Sequence, residues 1–382
     1  MYSLGGYGEM LADRVRMEAY AQALRGSVRP GAVVVDIGTG PGIMAVLACQ
    51  LGASRVFAIE PAEIIQVARE IARANCFADK IEFIEDLSTK VTLPVRADVI
   101  VSDMRGVLPL LEQHIPSIAD ARRRFLVPGG TLIAREDRIW AAVVEAPERY
   151  GKTVGPWERS ILGQDLSPGR RMAVNDLQKV RLTSEQLLTE PQLWATLDYA
   201  TVENPDFQGV LDWTVKHDGT GHGIVVWFET DLADGVSFSN APGAPEAIYA
   251  SMFFPWMNPV PLGKGQAVCV DLQAKLLEAD YFWRWTTYVK SCHTPFDTVA
   301  HFDQSQLQGT MLSPAKLRKS ASDFVPRLAE NGRIQQRALE LMDGKASLEE
   351  VARRLTTEFP LRFSHWHQAL TYASALSREH SQ

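Results

Sequence analysis

Three glycines at alternate positions, Gly38, Gly40 and Gly42, follow an apolar run at Val33–Ile37. Asp36 lies inside that run, and Glu60 follows a second apolar run at Arg55–Ile59. Glycine lets a backbone turn sharply and approach a ligand closely. A carboxylate at the tip of the second strand is placed to accept two hydrogen bonds from ribose hydroxyls. These residue types together read as a nucleoside-binding turn, with Asp36, Gly38, Gly40 and Glu60 as its contacts. A dinucleotide fingerprint needs a small residue three positions after its middle glycine, so that a helix can pack beside the pyrophosphate. Here that residue is Ile43. The pattern argues against NAD and suits S-adenosylmethionine (SAM).

The elements that must hold these residues are legible around them. Up to about residue 137, strand and helix signals alternate: strand Val33–Ile37, helix Ile43–Leu51, strand Arg55–Ile59, helix Ala62–Ala74, strand Lys80–Ile84, strand Ala97–Val101 and helix Leu108–Phe125. A turn at Pro128-Gly129-Gly130 and a strand at Thr131–Ala134 follow. Such alternation predicts a doubly wound parallel sheet, whose ligands lie at the carboxyl ends of the strands. Glu60, Asp86 and Asp103 all fall at such ends, and Asp86 with Leu87 is the expected neighbour of the adenine. Residues 138–320 turn to alternating, aromatic-rich segments such as GHGIVVWFETDL, which predict antiparallel strands closing into a barrel. A charged, helix-prone insertion at 163–191 interrupts them. The segment 321–382 reads as helical, with Ser347 and Glu350 as a capping box. The fold class is thus α/β: a doubly wound SAM-binding sheet, then a β-barrel domain, then a C-terminal helical domain.

Bulk composition narrows the function classes. The net charge is −7, so no diffuse basic field would draw nucleic acid or anionic membrane. No run approaches the ~20 apolar residues needed to span a bilayer, and no signal peptide is read. Four cysteines, Cys49, Cys76, Cys269 and Cys292, are far apart and lack metal spacing. Cys49 and Cys76 fall in helix patterns, where buried free thiols are common. A reducing cytoplasm is therefore expected, with no metal, no nucleic-acid partner and no membrane partner.

Further landmarks carry a family resemblance over roughly residues 7–300. Met10-Leu11-Ala12-Asp13-Arg14-Val15-Arg16, followed by Tyr20, is similar to the Met-Leu-x-Asp-x-x-Arg segment of the protein arginine methyltransferases, which folds over their cofactor. Ser102-Asp103-Met104-Arg105-Gly106-Val107, with Glu112 beyond it, is similar to the family's Ser-Glu-Trp-Met-Gly-Tyr loop and its second glutamate, at unchanged spacing. Gly221–Leu232 and Phe238–Pro242 resemble a strand and turn of the family's barrel. The 163–191 insertion stands in the place of its dimerisation arm, and apolar Leu166, Met172, Val174, Leu177 and Val180 suit a contact there.

The resemblance implies SAM as cofactor, with Met10 and Arg16 among its ligands and Arg16 on its carboxylate. A guanidinium fork matches a carboxylate bidentately. It also implies Asp103 and Glu112 as the catalytic pair, a small-molecule or peptide acceptor, and a homodimer. Two carboxylates can grip a planar guanidinium, localise its charge and aim one nitrogen at a methyl donor, so positioning carries much of the rate. The sequence departs from the family in two places. Asp103 replaces the first glutamate, withdrawing the carboxylate by about 1.5 Å. Ala247-Ile248-Tyr249 stands where the family has Thr-His-Trp, so the histidine that braces the active-site loop is missing. Tyr2 and Tyr7 are placed to cover the site in part. The expected activity is methyl transfer to a guanidino nitrogen of arginine, an arginine derivative or a peptide arginine. The alternative is a SAM-dependent transfer to a non-guanidine acceptor in a biosynthetic pathway.

Overall fold

The structure is a computed structural model that describes residues 3–291 and 297–381; Tyr2 and Cys292 lie outside them. Two helices open the chain. Ser3 caps α1 (Leu4–Ala12) by accepting from the Gly6 amide, and Asp13 caps α2 (Arg14–Ser27) by accepting from that of Arg16. These side chains satisfy donors that a first helical turn leaves open.

The parallel sheet follows, as β1 (Val33–Ile37), α3 (Ile43–Gln50), β2 (Arg55–Ile59), α4 (Ile65–Ala74), β3 (Ile81–Ile84), β4 (Ala97–Ser102), α5 (His114–Phe125) and β5 (Leu126–Ile133). The strands run β3-β2-β1-β4-β5, all parallel. Their order reverses between β1 and β4, and the crevice beyond those two carboxyl ends is where such a sheet takes its ligand.

Three local expectations are corrected. The helix expected from Leu108 begins only at His114, because Glu112, at φ +43°, interrupts the helical path. Pro128-Gly129-Gly130 is not a turn before a strand but lies inside β5, where pairing with β4 jumps from Leu126 to Thr131. This is an edge strand, which tolerates a proline and a bulge. Cys76 lies exposed beyond the end of α4, whereas Cys49 is buried as expected.

The second half contains β6 (Glu136–Val144), α6 (Pro147–Glu158), α7 (Ser167–Ala173), β7 (Gln178–Val180), β8 (Gln192–Asp198), β9 (Phe207–Thr214), β10 (Gly219–Ala233), β11 (Val236–Ser239), β12 (Ser251–Leu262), β13 (Ala267–Leu277), β14 (Asp280–Lys290), β15 (Thr298–Ser305) and the short α8 (Gln306–Gly309). One antiparallel sheet runs β7-β12-β10-β6-β8, with β11 also on β10, and the other runs β15-β14-β13-β9. β12 lies against β15 and β8 against β9, so the two sheets close on each other as a barrel. Trp213 and Phe228 are buried in its core, while Trp227 is buried in a second cluster with Tyr150 and Val154 of α6. The insertion is more self-contained than its apolar residues suggested. Val174 and Val180 are buried in one cluster with Tyr150, Val154 and Phe253 of the same chain. The exposed apolar side chains are instead Trp157 in the last turn of α6 and Ile161 and Leu162 between α6 and α7.

A first compact unit ends at Thr310 and a second begins at Met311. The second holds α9 (Pro314–Lys319), α10 (Glu330–Leu341), α11 (Leu348–Glu358) and α12 (Trp366–His380), with its own core of Ile334, Ala338, Val351, Leu355, Phe363 and Ala373. Ser347 and Glu350 form the capping box of α11. Among the described residues no helix is long and apolar enough to cross a membrane.

Candidate active site

The glycine turn behaves as its composition requires. Gly38, Gly40 and Gly42 have φ of +70°, +53° and +81°. At Gly42 a Cβ would also stand 2.8 Å from that of Ala68 on α4, so both backbone conformation and packing demand glycine. Glu60 is buried and staples the turn: its Oε2 accepts from the Gly40 amide at 3.1 Å and its Oε1 from that of Ala62 at 3.0 Å. Asp36 accepts a 2.5 Å hydrogen bond from Thr39 Oγ1. Burial outweighs that bond and pushes the Asp36 carboxyl up to about 7. Asp86 and Leu87 lie exposed beyond β3, with Asp86 Oδ1 accepting from the Leu87 amide at 2.7 Å.

Arg16, Asp36, Gly38 and Asp103 converge on one cavity of about 40 Å³ past the ends of β1 and β4, lined also by Leu11, Tyr20 and Ile43. The chain's own N-terminal helix crowds it. Tyr7 of α1 has a ring carbon 3.3 Å from the Cβ position of Gly40, and Met104 approaches that of Gly38 at 3.0 Å. Arg16 donates from Nε to Asp103 Oδ2 and from Nη1 to the Met10 carbonyl at 3.2 Å. Thus the residue expected to meet a ligand carboxylate is paired with the residue expected to meet the acceptor. Tyr249 OH also donates to Asp103 Oδ2, at 2.8 Å. Burial alone would raise the Asp103 carboxyl, but Arg16, Arg105 and the Tyr249 bond overcome it and hold it below the usual carboxylate range. Glu112 is exposed and makes no side-chain hydrogen bond or ion pair among the described residues. At Gly106 a Cβ would fall 2.6 Å from Leu111 Cδ2, so the loop between the two acids folds back on itself tightly.

Several residues of this site were not singled out from the sequence. Arg105 is fully buried; its Nη1 donates to Thr230 Oγ1 at 2.9 Å and its Nε lies 3.4 Å from Asp137 Oδ2 and 3.9 Å from Asp103 Oδ1. Asp137 also accepts from Tyr199 OH at 2.5 Å, and that hydroxyl meets His114 Nε2 at 2.9 Å. Burial, helped by the neighbouring Arg105, presses the His114 imidazole down to about 3. Asn240 Nδ2 donates to the Val107 carbonyl at 2.9 Å. The position expected to lack the bracing histidine, Ile248, contributes its backbone: its amide donates to Asp13 Oδ2 at 2.7 Å. The local signal for Arg105 was a lone charge in an otherwise apolar run, Met104 to Leu110.

A nucleoside joined to an amino acid fits this donor set. Arg16 offers a cation that a carboxylate could meet, Glu60 offers acceptor oxygens that a diol could meet, and the glycine turn allows close backbone approach. Comparison with known proteins gives the same direction. Residues 18–142 match the family model described as ribosomal protein L11 methyltransferase (PrmA), and residues 136–281 match the arginine methyltransferase oligomerization subdomain. The "Probable protein arginine N-methyltransferase 6" of Arabidopsis thaliana is 29% identical over 257 residues, covering 65% of this chain and 59% of that protein. The "Probable protein arginine N-methyltransferase 3" of Oryza sativa subsp. japonica is 30% identical over 315 residues, covering 70% of this chain and 49% of that protein. The chain thus spans about half to three-fifths of the length of these curated relatives. A Trypanosoma brucei PRMT1 enzyme-prozyme heterotetrameric complex with AdoHcy shares the fold, with a TM-score of 0.72 at 20% identity over 79% of this chain and 98% of that one. A methyltransferase family model over residues 18–142, the oligomerization-subdomain model over 136–281 and the curated relatives agree: the chain is similar to the protein arginine methyltransferases and shares their fold.

Proposed function

We propose that this protein is a SAM-dependent N-methyltransferase acting on a guanidino nitrogen of arginine, an arginine derivative or a peptide arginine. The observation that carries it is the Arg16–Asp103 pair beyond β1 and β4, which sets a ligand-carboxylate donor beside an acceptor acid. In this reading Arg16, Met10, Asp36, Gly38, Gly40, Glu60, Asp86 and Leu87 hold the cofactor. When bound, SAM supplies a methyl group on a positively charged sulfur. The cavity of about 40 Å³ is far below the ~300–1,000 Å³ of ligand pockets and Tyr7 of α1 crowds it, so this reading requires α1 to move when SAM binds. Asp103, held ionised, stabilises positive charge on the acceptor and orients it. Glu112, facing solvent, grips the acceptor's other edge and passes the released proton to water.

Incubation with SAM and a panel of arginine, guanidino compounds and Arg-containing peptides tests this by mass spectrometry. The reading expects a mass gain of one methylene on a guanidine. Methylation of a hydroxyl from cell extract, with every guanidine unmodified, would overturn it. We also infer a homodimer with a twofold axis, supported by the oligomerization-subdomain match and by exposed Trp157, Ile161 and Leu162. A protein that stays monomeric by light scattering at high micromolar concentration would contradict that. A cytoplasmic location is inferred from the free thiols of Cys49, Cys76 and Cys269, and microscopy of a fluorescent fusion checks it.

A further inference from the structure

We propose that Arg105 is a positioning residue that aims Asp103, and that Asp137 is the hub through which it acts. The proposal rests on the methyl-transfer reading above. The segment from Asp103 to Gln113 has no helix or strand, yet it carries both acids, so its aim depends on tie points to the barrel. Arg105 is the first. It reaches from the loop into the sheet, donating to Thr230 of β10, pairing with Asp137 of β6, and lying 5.6 and 6.0 Å from the ring centres of Phe228 and Phe238. The second tie point is at the far end of the loop. His114, first residue of α5, meets Tyr199 OH, which donates to the same Asp137. One fully buried carboxylate therefore holds both ends of the acid-bearing loop.

Energy argues that this arrangement is kept for geometry. Burying an ion pair costs several kcal/mol of hydration per ion, and well-packed apolar residues in its place are often as stable or more so. An apolar pair would fill the volume but would fix no direction. The guanidinium donates one hydrogen bond, to Thr230, and stands at ion-pair distance from the Asp137 and Asp103 carboxylates, which together give the loop's first turn a direction. Arg105 Nε stands 3.9 Å from Asp103 Oδ1, so its charge also keeps that acid ionised while Oδ2 serves Arg16 and Tyr249.

The test uses the full chain with Arg105→Met/Asp137→Ala, which removes both buried charges, and with Thr230→Val and Arg105→Lys. Three quantities are read: kcat on a guanidine substrate, calorimetric Kd for S-adenosylhomocysteine, and hydrogen–deuterium exchange of peptides over 103–113. Neither Arg105 nor Asp137 lines the cofactor cavity. In the double variant kcat should fall at least about tenfold, since ~1 Å of misplacement can cost about a hundredfold. Kd should stay within about twofold, exchange over 103–113 should quicken, and β6 and β10 should stay protected. Thr230→Val and Arg105→Lys, which each keep part of the anchor, should fall between; they carry the test if the double variant does not fold. Wild-type kcat in the double variant, or lost kcat with unchanged exchange over 103–113, overturns the proposal. If the wild-type protein methylates no guanidine, the functional reading fails on its own account. The exchange measurement then still decides the anchor.

Discussion

Asp103→Asn keeps the shape of the side chain and removes the negative charge that faces Arg16 and Arg105. The side chains of Asp103, Arg16 and Arg105 are 8%, 12% and 1% exposed, so water can repair little of the loss. Arg105 retains Asp137, but Arg16 is left with the Met10 carbonyl, the Met17 sulfur and the ring of Tyr20. Removing one member of a buried ion pair costs about 3–5 kcal/mol. For a folded unit of this size each kcal/mol moves Tm by about 2 °C, so the melting temperature should fall by about 6–10 °C. A ligand carboxylate gives Arg16 a new anion. S-adenosylhomocysteine at about a hundred times its Kd adds about 2.7 kcal/mol by mass action. In the wild type, Arg16 must first release Asp103 to meet it; in the variant it need not. At one fixed ligand concentration, scanning calorimetry should therefore show a larger ligand-induced rise in Tm for Asp103→Asn than for the wild type. A variant as stable as the wild type, or equal ligand increments in both, would refute the assignment of Arg16 as the group both anions share.

Glu112→Gln should lower kcat/KM on a guanidine by at least about a hundredfold, roughly 2.7 kcal/mol of transition-state stabilisation, while calorimetric affinity for S-adenosylhomocysteine holds; wild-type turnover would end the two-acid reading. His114 titrates at about 3 in the folded chain against an ordinary 6.5, so the unfolded chain takes up the extra proton as pH falls through that window and stability drops. In His114→Gln, Tm should fall less steeply than in the wild type between pH 6.5 and 4, and parallel curves would count against the buried neutral imidazole. Gly42→Ala places a Cβ 2.8 Å from Ala68 at φ +81° and should cost about 1–3 kcal/mol in a denaturant melt, whereas an unchanged midpoint would show that the turn relaxes freely.

Apart from β5, the parallel sheet was legible because each of its strands is a short apolar run ended by a residue that stops it. Gly38 ends β1, and Glu60 and Asp103 sit just past β2 and β4. The first corrections concern backbone features that no side-chain pattern announces: the left-handed Glu112 that delays α5, and the bulge that carries Pro128 through β5. At the site, Asp36, Gly38 and Asp103 could be placed because each adjoins a strand end, and Arg16 because its segment resembles the family's cofactor-covering motif. The Arg105–Asp137–Tyr199–His114 chain could not. Its members are 9 to 94 residues apart and come from a loop, two separate barrel segments and a helix start. A charge reads as solvated until its partner is known, and here the partner is supplied by tertiary folding alone. The same holds for Val174 and Val180, whose apolar character was visible but whose partners lie in their own chain.

Asp13 joins parts of the chain made at very different times. Its Oδ1 accepts from Arg16 and its Oδ2 from Ile248, while Tyr20 packs on Phe238 and α2 leans on β10 and β11. A ribosome adds about 5–20 residues per second. The strands of the parallel sheet end at Ile133, so they leave the ribosome several seconds before Phe238 or Ile248 exists. Through that interval α2 has no barrel to settle on, and Tyr249 is not there to meet Asp103. The ligand-binding corner, encoded by some of the earliest residues, is among the last parts of the protein to take shape.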